Sequence, residues 1–175
     1  GFRTIEVRDQ GLLLNGEPLT LTGFDRHEDS PRTGLCTDMA IVRADLEAIR
    51  QTGGNFVRMA HYPHHPAELD LCDELGILVM DEIPLYWWRG HHPGEELFKT
   101  KRANARRQLT TMIQRDRHHP CVIFWSVSNE THESLPEVRE GNADLIRHAR
   151  KLDPTRLATQ VANQWHQQMA FEADD

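Results

Sequence analysis

The spacing of apolar residues changes near Leu19. From Ile5 to Gly23 short apolar runs surround Asn15-Gly16, a pair in which both residues tolerate positive φ and which signals a two-residue hairpin. Residues 1–18 are therefore expected to form a short β-hairpin. Beyond it, strand and helix patterns alternate. Val42, Leu46 and Ile49 recur at helical spacing, and Gly53-Gly54 stops that helix before a short strand, Asn55 to Ala60. Pro66 suits a first helical turn, Leu69, Cys72 and Leu75 form an apolar stripe, and Gly76 precedes the apolar run Ile77 to Met80. Such a run, apolar on both faces, reads as a buried parallel strand. A third helix is predicted from about Thr100 to Arg117, with Ala105, Leu109, Met112 and Ile113 inward, leading into the strand Cys121 to Trp125. The fourth runs from Pro136 to Leu152, with Leu145, Ile146, Ala149 and Leu152 inward, and Arg156 to Val161 can follow as a fifth strand.

With Leu19 to Phe24 as the first strand, the order β-α-β-α-β-α-β-α-β demands a parallel sheet with helical crossovers. A doubly wound sheet usually shows a glycine-rich phosphate loop after an early strand, and Thr22-Gly-Phe-Asp-Arg-His27 is not one. In a barrel, chemistry gathers where strands end. Polar residues gather there in this chain: Asp25, Arg26, His27 and Glu28, then Arg58 and His61, then Asp81 and Glu82, then Asn129 and Glu130. The expected fold is α/β, of the (β/α)8 TIM-barrel type: a single partial barrel domain in residues 1–175, with about the first four to five βα units in 19–175.

Composition narrows the partners. The chain has 175 residues, 38% apolar and 27% charged, ordinary for a globular domain with a sizeable core. A net charge of -7 argues against nucleic acid, and the basic cluster Lys99 to Arg107 reads as a solvated helix face. No apolar stretch approaches the roughly 18 residues of a membrane span, so no membrane partner is expected. Three cysteines at wide spacing, Cys36, Cys72 and Cys121, suggest neither a disulfide framework nor a zinc site and point to a reducing, cytoplasmic setting. Because the chain opens on Gly1 and not Met, it is expected to have been cut from something longer.

Glu130 lies beyond a buried strand, beside an amide and near aromatic residues, a setting that suits a general acid. The alternative is that Asn129-Glu130 merely opens a polar loop. The neighbouring motifs weigh against that alternative. In order along the chain stand Gly1-Phe-Arg3, Leu14-Asn-Gly-Glu-Pro18, Gly23-Phe-Asp-Arg-His-Glu28, Arg58, His61-Tyr-Pro63, Asp81-Glu-Ile-Pro84, Arg115-Asp116, His119-Pro120, Trp125-Ser126, Asn129-Glu130 and Leu152-Asp-Pro-Thr-Arg156. This ordered set, covering nearly the whole chain, resembles the family 2 glycoside hydrolases, and its Asp-Glu-Ile-Pro and Trp-Ser-Val-Ser-Asn-Glu forms are closer to the β-glucuronidase branch than to the large β-galactosidases.

The resemblance implies a barrel that hydrolyses a β-glycoside with retention, through two carboxylates and a covalent intermediate. Glu130 matches the acid/base and Asn129 the residue that binds the sugar 2-hydroxyl. Arg58 matches an arginine that keeps the nucleophilic carboxylate ionised; a plain ion pair with a barrel carboxylate such as Asp25 is the other reading. His27 and His61 match histidines lining the sugar pocket, or are hydrogen-bonded structural residues. Of Asp81 and Glu82, one would support the site and the other the barrel, and the sequence does not say which. Trp88, in Leu85-Tyr-Trp-Trp88, is a candidate sugar platform or a loop-packing residue.

The chain also departs from the pattern. The Glu-x-His magnesium pair of the large β-galactosidases is missing from Pro84 to Gly90, so no metal or other cofactor is expected. Eleven histidines, densest at His61 to His65, His91-His92 and His118-His119, make a metal-binding module the rival from another class, though Pro63 and Pro66 spoil helical ligand spacing. The family's nucleophile is a second Glu near the end of the seventh strand; nothing matches it, and Glu172 has neither the strand nor the flanking residues. The chain is therefore expected to carry the acid/base half of a site, inactive alone, and to form a homodimer or associate with a missing C-terminal half. A non-catalytic carbohydrate-binding or self-associating half-barrel is the remaining alternative.

Overall fold

The hairpin signal and the alternating text become two separate sheets in the computed structural model, which describes residues 2–9, 11–87 and 96–162. The first is antiparallel and has three strands, β1 (Ile5–Arg8), β2 (Gly11–Leu14) and β3 (Glu17–Leu19), with Leu14 opposite Glu17. Asn15 and Gly16 turn the chain between β2 and β3 with φ of 54° and 83°, the left-handed backbone that the pair was expected to adopt. The expected hairpin thus has an additional strand, β1, on its outer side.

The second sheet is parallel throughout, in the order β4 (Gly23–Arg26), β5 (Phe56–Met59), β6 (Leu78–Glu82), β7 (Val122–Asn129), β8 (Leu157–Val161). Between successive strands lie α1 (Met39–Gln51), α2 (Pro66–Leu75), α3 (Glu96–Asp116) and α4 (Pro136–Leu152). Strand order equal to chain order, with a helix at each crossover, is the barrel pattern; a doubly wound sheet would reverse direction. The expected first strand splits: Glu17–Leu19 joins the antiparallel sheet and only Gly23 onward enters the parallel one. β7 runs on past Trp125 to Asn129, and α3 begins at Glu96, earlier than expected.

Local chemistry explains the element ends. Asp38 caps α1 by accepting from the Ala40 amide at 2.9 Å, and Pro66 opens α2 where its missing N–H costs nothing. Gly76 closes α2 in the left-handed region at φ 68°, where a side chain would be strained. Gly23 is required for another reason: a Cβ there would lie 1.8 Å from the Phe56 carbonyl oxygen.

The core lies between the sheet and its helices. Val57, Met59 and Val79 from the strands pack with Leu46, Leu69, Leu109, Ile113 and Leu145 from the helices, and Trp125 is fully buried among them. Burying a side chain of this size contributes about 1.5–3 kcal/mol, so this layer outweighs any surface ion pair in the molecule. The opposite face of the sheet carries Phe56, Leu78, Met80, Phe124 and Leu157, each only partly covered.

At the base, Arg3 ties the antiparallel sheet to the barrel. Its guanidinium donates to the carbonyls of Pro120 and Thr155 at 3.0 and 3.1 Å and to that of Val122. Burial, then the nearby Arg156, push Arg3 down to about 10, which still leaves it charged at neutral pH. Arg156 donates to the same Val122 carbonyl and to those of Arg117 and His119, pairs with Asp153 at 2.7 Å, and lies over the Trp125 ring. Burial alone would raise the Asp153 carboxyl, but hydrogen bonds from Thr155 and Arg156 hold it below its ordinary range.

Candidate active site

Strand alternation sorts the polar residues at the C-terminal ends of β4 to β7. Successive side chains on a strand point to opposite faces. Asp25 lies opposite Arg58 in the register and faces inward with it, while Arg26 turns to the helices and pairs with Asp45 at 3.1 Å and Glu68 at 2.9 Å. On β6, Glu82 faces inward and Asp81 faces the helices. The pair that the sequence left undecided is separated by that alternation.

Arg58 is the hub of the inward cluster. Its Nε and Nη2 donate to the two oxygens of Glu82 at 3.0 and 2.8 Å, a bidentate fork, and its Nη1 donates to Asp25 at 3.1 Å. Nη2 also donates to Asn129 Oδ1 at 2.7 Å. Ser126 Oγ donates to Glu82 Oε2 at 2.7 Å, so the fully buried Glu82 carboxylate is held from two strands. Arg58 and Asn129 are buried as well, whereas the Asp25 carboxylate is more than half exposed.

Donor counting fixes two orientations. The two hydrogens of Arg58 Nη2 go to Glu82 and Asn129, so the His61 Nδ1, 3.0 Å from both Nη2 and Glu82 Oε1, carries a proton toward the carboxylate. The Nε2 of His61 is left for the open side. Likewise Asn129 accepts through Oδ1, so its amide N–H2 is the group available to a ligand.

Asn129 reaches this cluster because β7 is irregular. Ser126 and Asn129 stand three apart and in a regular strand would face opposite ways; the register shift between them turns both toward Glu82 and Arg58. The next residue, Glu130, has φ 47° and donates its amide to the Val161 carbonyl at 2.8 Å, extending the pairing to β8. Its Oε2 accepts from the Trp87 indole Nε1 at 3.1 Å.

Aromatic rings border the cluster in sequence: His27 and His61 meet edge to face at 5.0 Å, His61 and Tyr86 lie at 6.4 Å, and Tyr86 and Trp87 meet edge to face at 5.9 Å. Of the candidate residues, Asp25, Arg58, His61, Glu82 and Asn129 are joined by hydrogen bonds, His27 touches His61, and Glu130 follows Asn129 directly. Trp88 lies outside the described residues. Trp87, of the same aromatic group, takes the position beside Glu130.

Asp81 contributes to packing on the far face. It is fully buried, and burial, reinforced by the charge and hydrogen bond of Asp116, pushes its carboxyl well above the usual carboxylate range. Two groups with metal-like spacing occur among the described residues, Asp73-His119-Cys121 and Glu28-His64-Glu68. The first is absorbed locally: Asp73 accepts from His119 Nδ1 at 2.8 Å and from the Cys121 amide at 2.7 Å, and burial pushes the Cys121 thiol up, away from the thiolate a metal needs. In the second, the Arg26 guanidinium already occupies the Glu68 carboxylate. A cavity of about 340 Å³ lies at the opposite end of the sheet, lined by Arg3, Leu19, Cys72, Asp73 and Cys121, where the wall is largely apolar. No helix among the described residues is long and apolar enough to cross a membrane.

The family model described as glycosyl hydrolases family 2, TIM barrel domain, matches residues 5–173. A β-galactosidase of Vibrio cholerae is 44% identical over 133 residues, covering 75% of this chain and 13% of that protein. A β-glucuronidase of Rattus norvegicus is 35% identical over 163 residues, covering 93% of this chain and 25% of that protein. Among solved structures, a β-glucuronidase of an uncultured Clostridium superposes with a TM-score of 0.89 at 34% identity, covering 94% of this chain and 29% of that one. The chain therefore spans well under a third of the length of these relatives.

Proposed function

The chain belongs to the glycosyl hydrolase family 2 TIM barrel domain, and from that premise we propose that it carries the acid/base half of a retaining β-glycosidase site. Glu130 is the acid/base: it protonates the leaving oxygen, then removes a proton from the water that attacks the glycosyl intermediate. The observation that carries this reading is the Arg58–Asn129 bond at 2.7 Å, which presents the amide N–H2 of Asn129 immediately beside Glu130.

The other roles follow from the same cluster. Asn129 donates to the sugar 2-hydroxyl, a bond that strengthens as positive charge develops on the ring. Arg58 holds a guanidinium where a nucleophilic carboxylate would stand and keeps that carboxylate ionised. Glu82 and Asp25 hold Arg58, His61 offers Nε2 to a sugar hydroxyl, and His27 packs against it. The substrate is a β-glycoside, consistent with relatives named β-galactosidase and β-glucuronidase.

A retaining site needs two carboxyl groups about 5–5.5 Å apart, one of them the nucleophile. No residue of this chain matches that nucleophile, so the chain alone is expected to hydrolyse nothing. The test uses a chromogenic β-glucuronide and β-galactoside, with this chain and with a polypeptide carrying the whole barrel. Turnover is expected only from the latter, and Glu130→Gln should abolish it with leaving groups that need protonation. Activity that survived Glu130→Gln on a glycoside whose leaving group needs protonation would remove Glu130 from the role.

A further inference from the structure

Trp87 and Glu130 share an unusual arrangement. Both are non-glycine residues in the left-handed region, at φ 46° and 47°. Such a conformation is strained for a residue with a Cβ and persists only where its surroundings impose it, and imposed strain of this kind concentrates at functional sites. Here the surroundings are visible. The Trp87 amide donates to the Asn129 carbonyl at 3.2 Å, the Asn129 amide donates to the Leu85 carbonyl at 2.9 Å, and Tyr86 forms a parallel bridge with Asn129. The segment after β6 is thereby zipped to the end of β7, and the two left-handed turns bring the Trp87 indole N–H to 3.1 Å from Glu130 Oε2.

Resting on the reading of Glu130 as acid/base, we propose that Trp87 is a positioning residue for Glu130 and the platform of the leaving-group subsite, favouring glycosides with flat aromatic aglycones. The geometry argues both parts. An acid/base carboxylate delivers its proton to the glycosidic oxygen, so a ring within hydrogen-bond reach of that carboxylate stands beside the bond to the aglycone. The ring is 61% exposed and its neighbour Tyr86 is 46% exposed, so an apolar face stands open beside the proton donor. Aromatic groups recover about 0.5–1.5 kcal/mol beyond area burial by stacking on such a face. The N–H has a separate effect. Its hydrogen bond fixes the orientation of the carboxylate before a substrate arrives.

Two measurements test this. In the ¹⁵N-labelled chain, the Trp87 indole resonance, identified by its loss in Trp87→Phe, should be displaced in Glu130→Gln, whose neutral amide is a weaker acceptor than the carboxylate. A resonance unmoved by Glu130→Gln overturns the positioning role. In a polypeptide carrying the whole barrel, aryl and methyl β-glycosides of the same sugar are compared. Relative to Trp87→Phe, which also lacks the N–H, Trp87→Ala should lower kcat/KM for the aryl glycoside about five- to ten-fold, mostly through KM, and change the methyl glycoside by less than about two-fold. Trp87→Phe should keep the aryl preference and lower kcat more for the methyl glycoside, whose leaving oxygen needs the proton, than for the aryl one. Unchanged ratios in Trp87→Ala overturn the platform. A wild-type barrel inert on both glycosides overturns the glycosidase reading, and the subsite with it, whatever the indole resonance does.

Discussion

Arg58 donates to Asn129 Oδ1 at 2.7 Å, and this single bond decides which way the Asn129 amide faces. Without it the amide could present either its oxygen or its N–H2 to a ligand. With it only the N–H2 remains, because the guanidinium offers donors alone. In a barrel that turns over, Asn129→Ala is therefore expected to lower kcat by about 100-fold, the scale of losing one preorganised donor to the transition state, with KM changed far less. Steady-state kinetics check this, and a variant with raised KM and intact kcat would make Asn129 a ground-state contact.

The same hub governs stability. Glu82 is fully buried and relies on Arg58 for two of its hydrogen bonds. Truncating one partner of a buried ion pair strands the other charge, so Arg58→Ala is expected to cost about 3–5 kcal/mol. Exposed pairs such as Arg147–Glu140 should be worth under about 1 kcal/mol. Urea unfolding compares the two directly, and a loss in Arg58→Ala no larger than that of Arg147→Ala would mean that water reaches Glu82.

The pH dependence has a definite sign at Asp81. Asp81 Oδ1 accepts from the Glu82 amide at 3.1 Å and Asp116 Oδ1 from Arg115 Nε at 2.7 Å, leaving one buried oxygen of each carboxyl to share a proton. Burial and the Asp116 charge raise Asp81, while Arg115 opposes the rise. The folded chain thus holds a proton that the unfolded chain releases near the ordinary aspartate value of about 3.9, and stability falls as pH rises above that range. Denaturant unfolding should give a lower stability at pH 8 than at pH 5. Asp81→Asn, whose amide can donate permanently to Asp116, should remove that part of the slope; an unchanged slope would place the shared proton elsewhere.

Much of this was legible in the residues because barrel strands announce themselves twice, by apolar runs and by polar residues at their ends. Arg58, His61, Glu82 and Asn129 were all marked in that way. What was not legible depends on register. Period-two alternation from Met80 would have sent Glu82 inward and Asp81 outward, but only if the direction of one neighbour were known. The shift in β7 that re-aims Asn129 leaves no mark in Trp125-Ser-Val-Ser-Asn129, whose residues would fit a regular strand equally well. Trp87 had a signal, the aromatic group Leu85 to Trp88, yet which ring meets Glu130 is set by backbone pairing with Asn129. The link of His119 to Asp73 spans 46 residues and could not be inferred from spacing.

The parallel sheet also predicts how this chain behaves by itself. β4 pairs only with β5 and β8 only with β7 among the described residues, so each presents a strand edge with free hydrogen-bonding groups. Phe24 on β4 is 53% exposed, and Phe56, Leu78, Met80, Phe124 and Leu157 on the inner face are only partly covered. In a closed barrel of eight strands both the edges and that face are satisfied by the remaining strands. Left open, they should bind a second copy or the rest of the barrel. Light scattering over a range of concentrations should show a species larger than a monomer, and Phe24→Lys, which places a charge at the β4 edge, should weaken association if the copies meet there. A concentration-independent monomer with a sharp thermal transition would show that the five strands are stable with their edges in water.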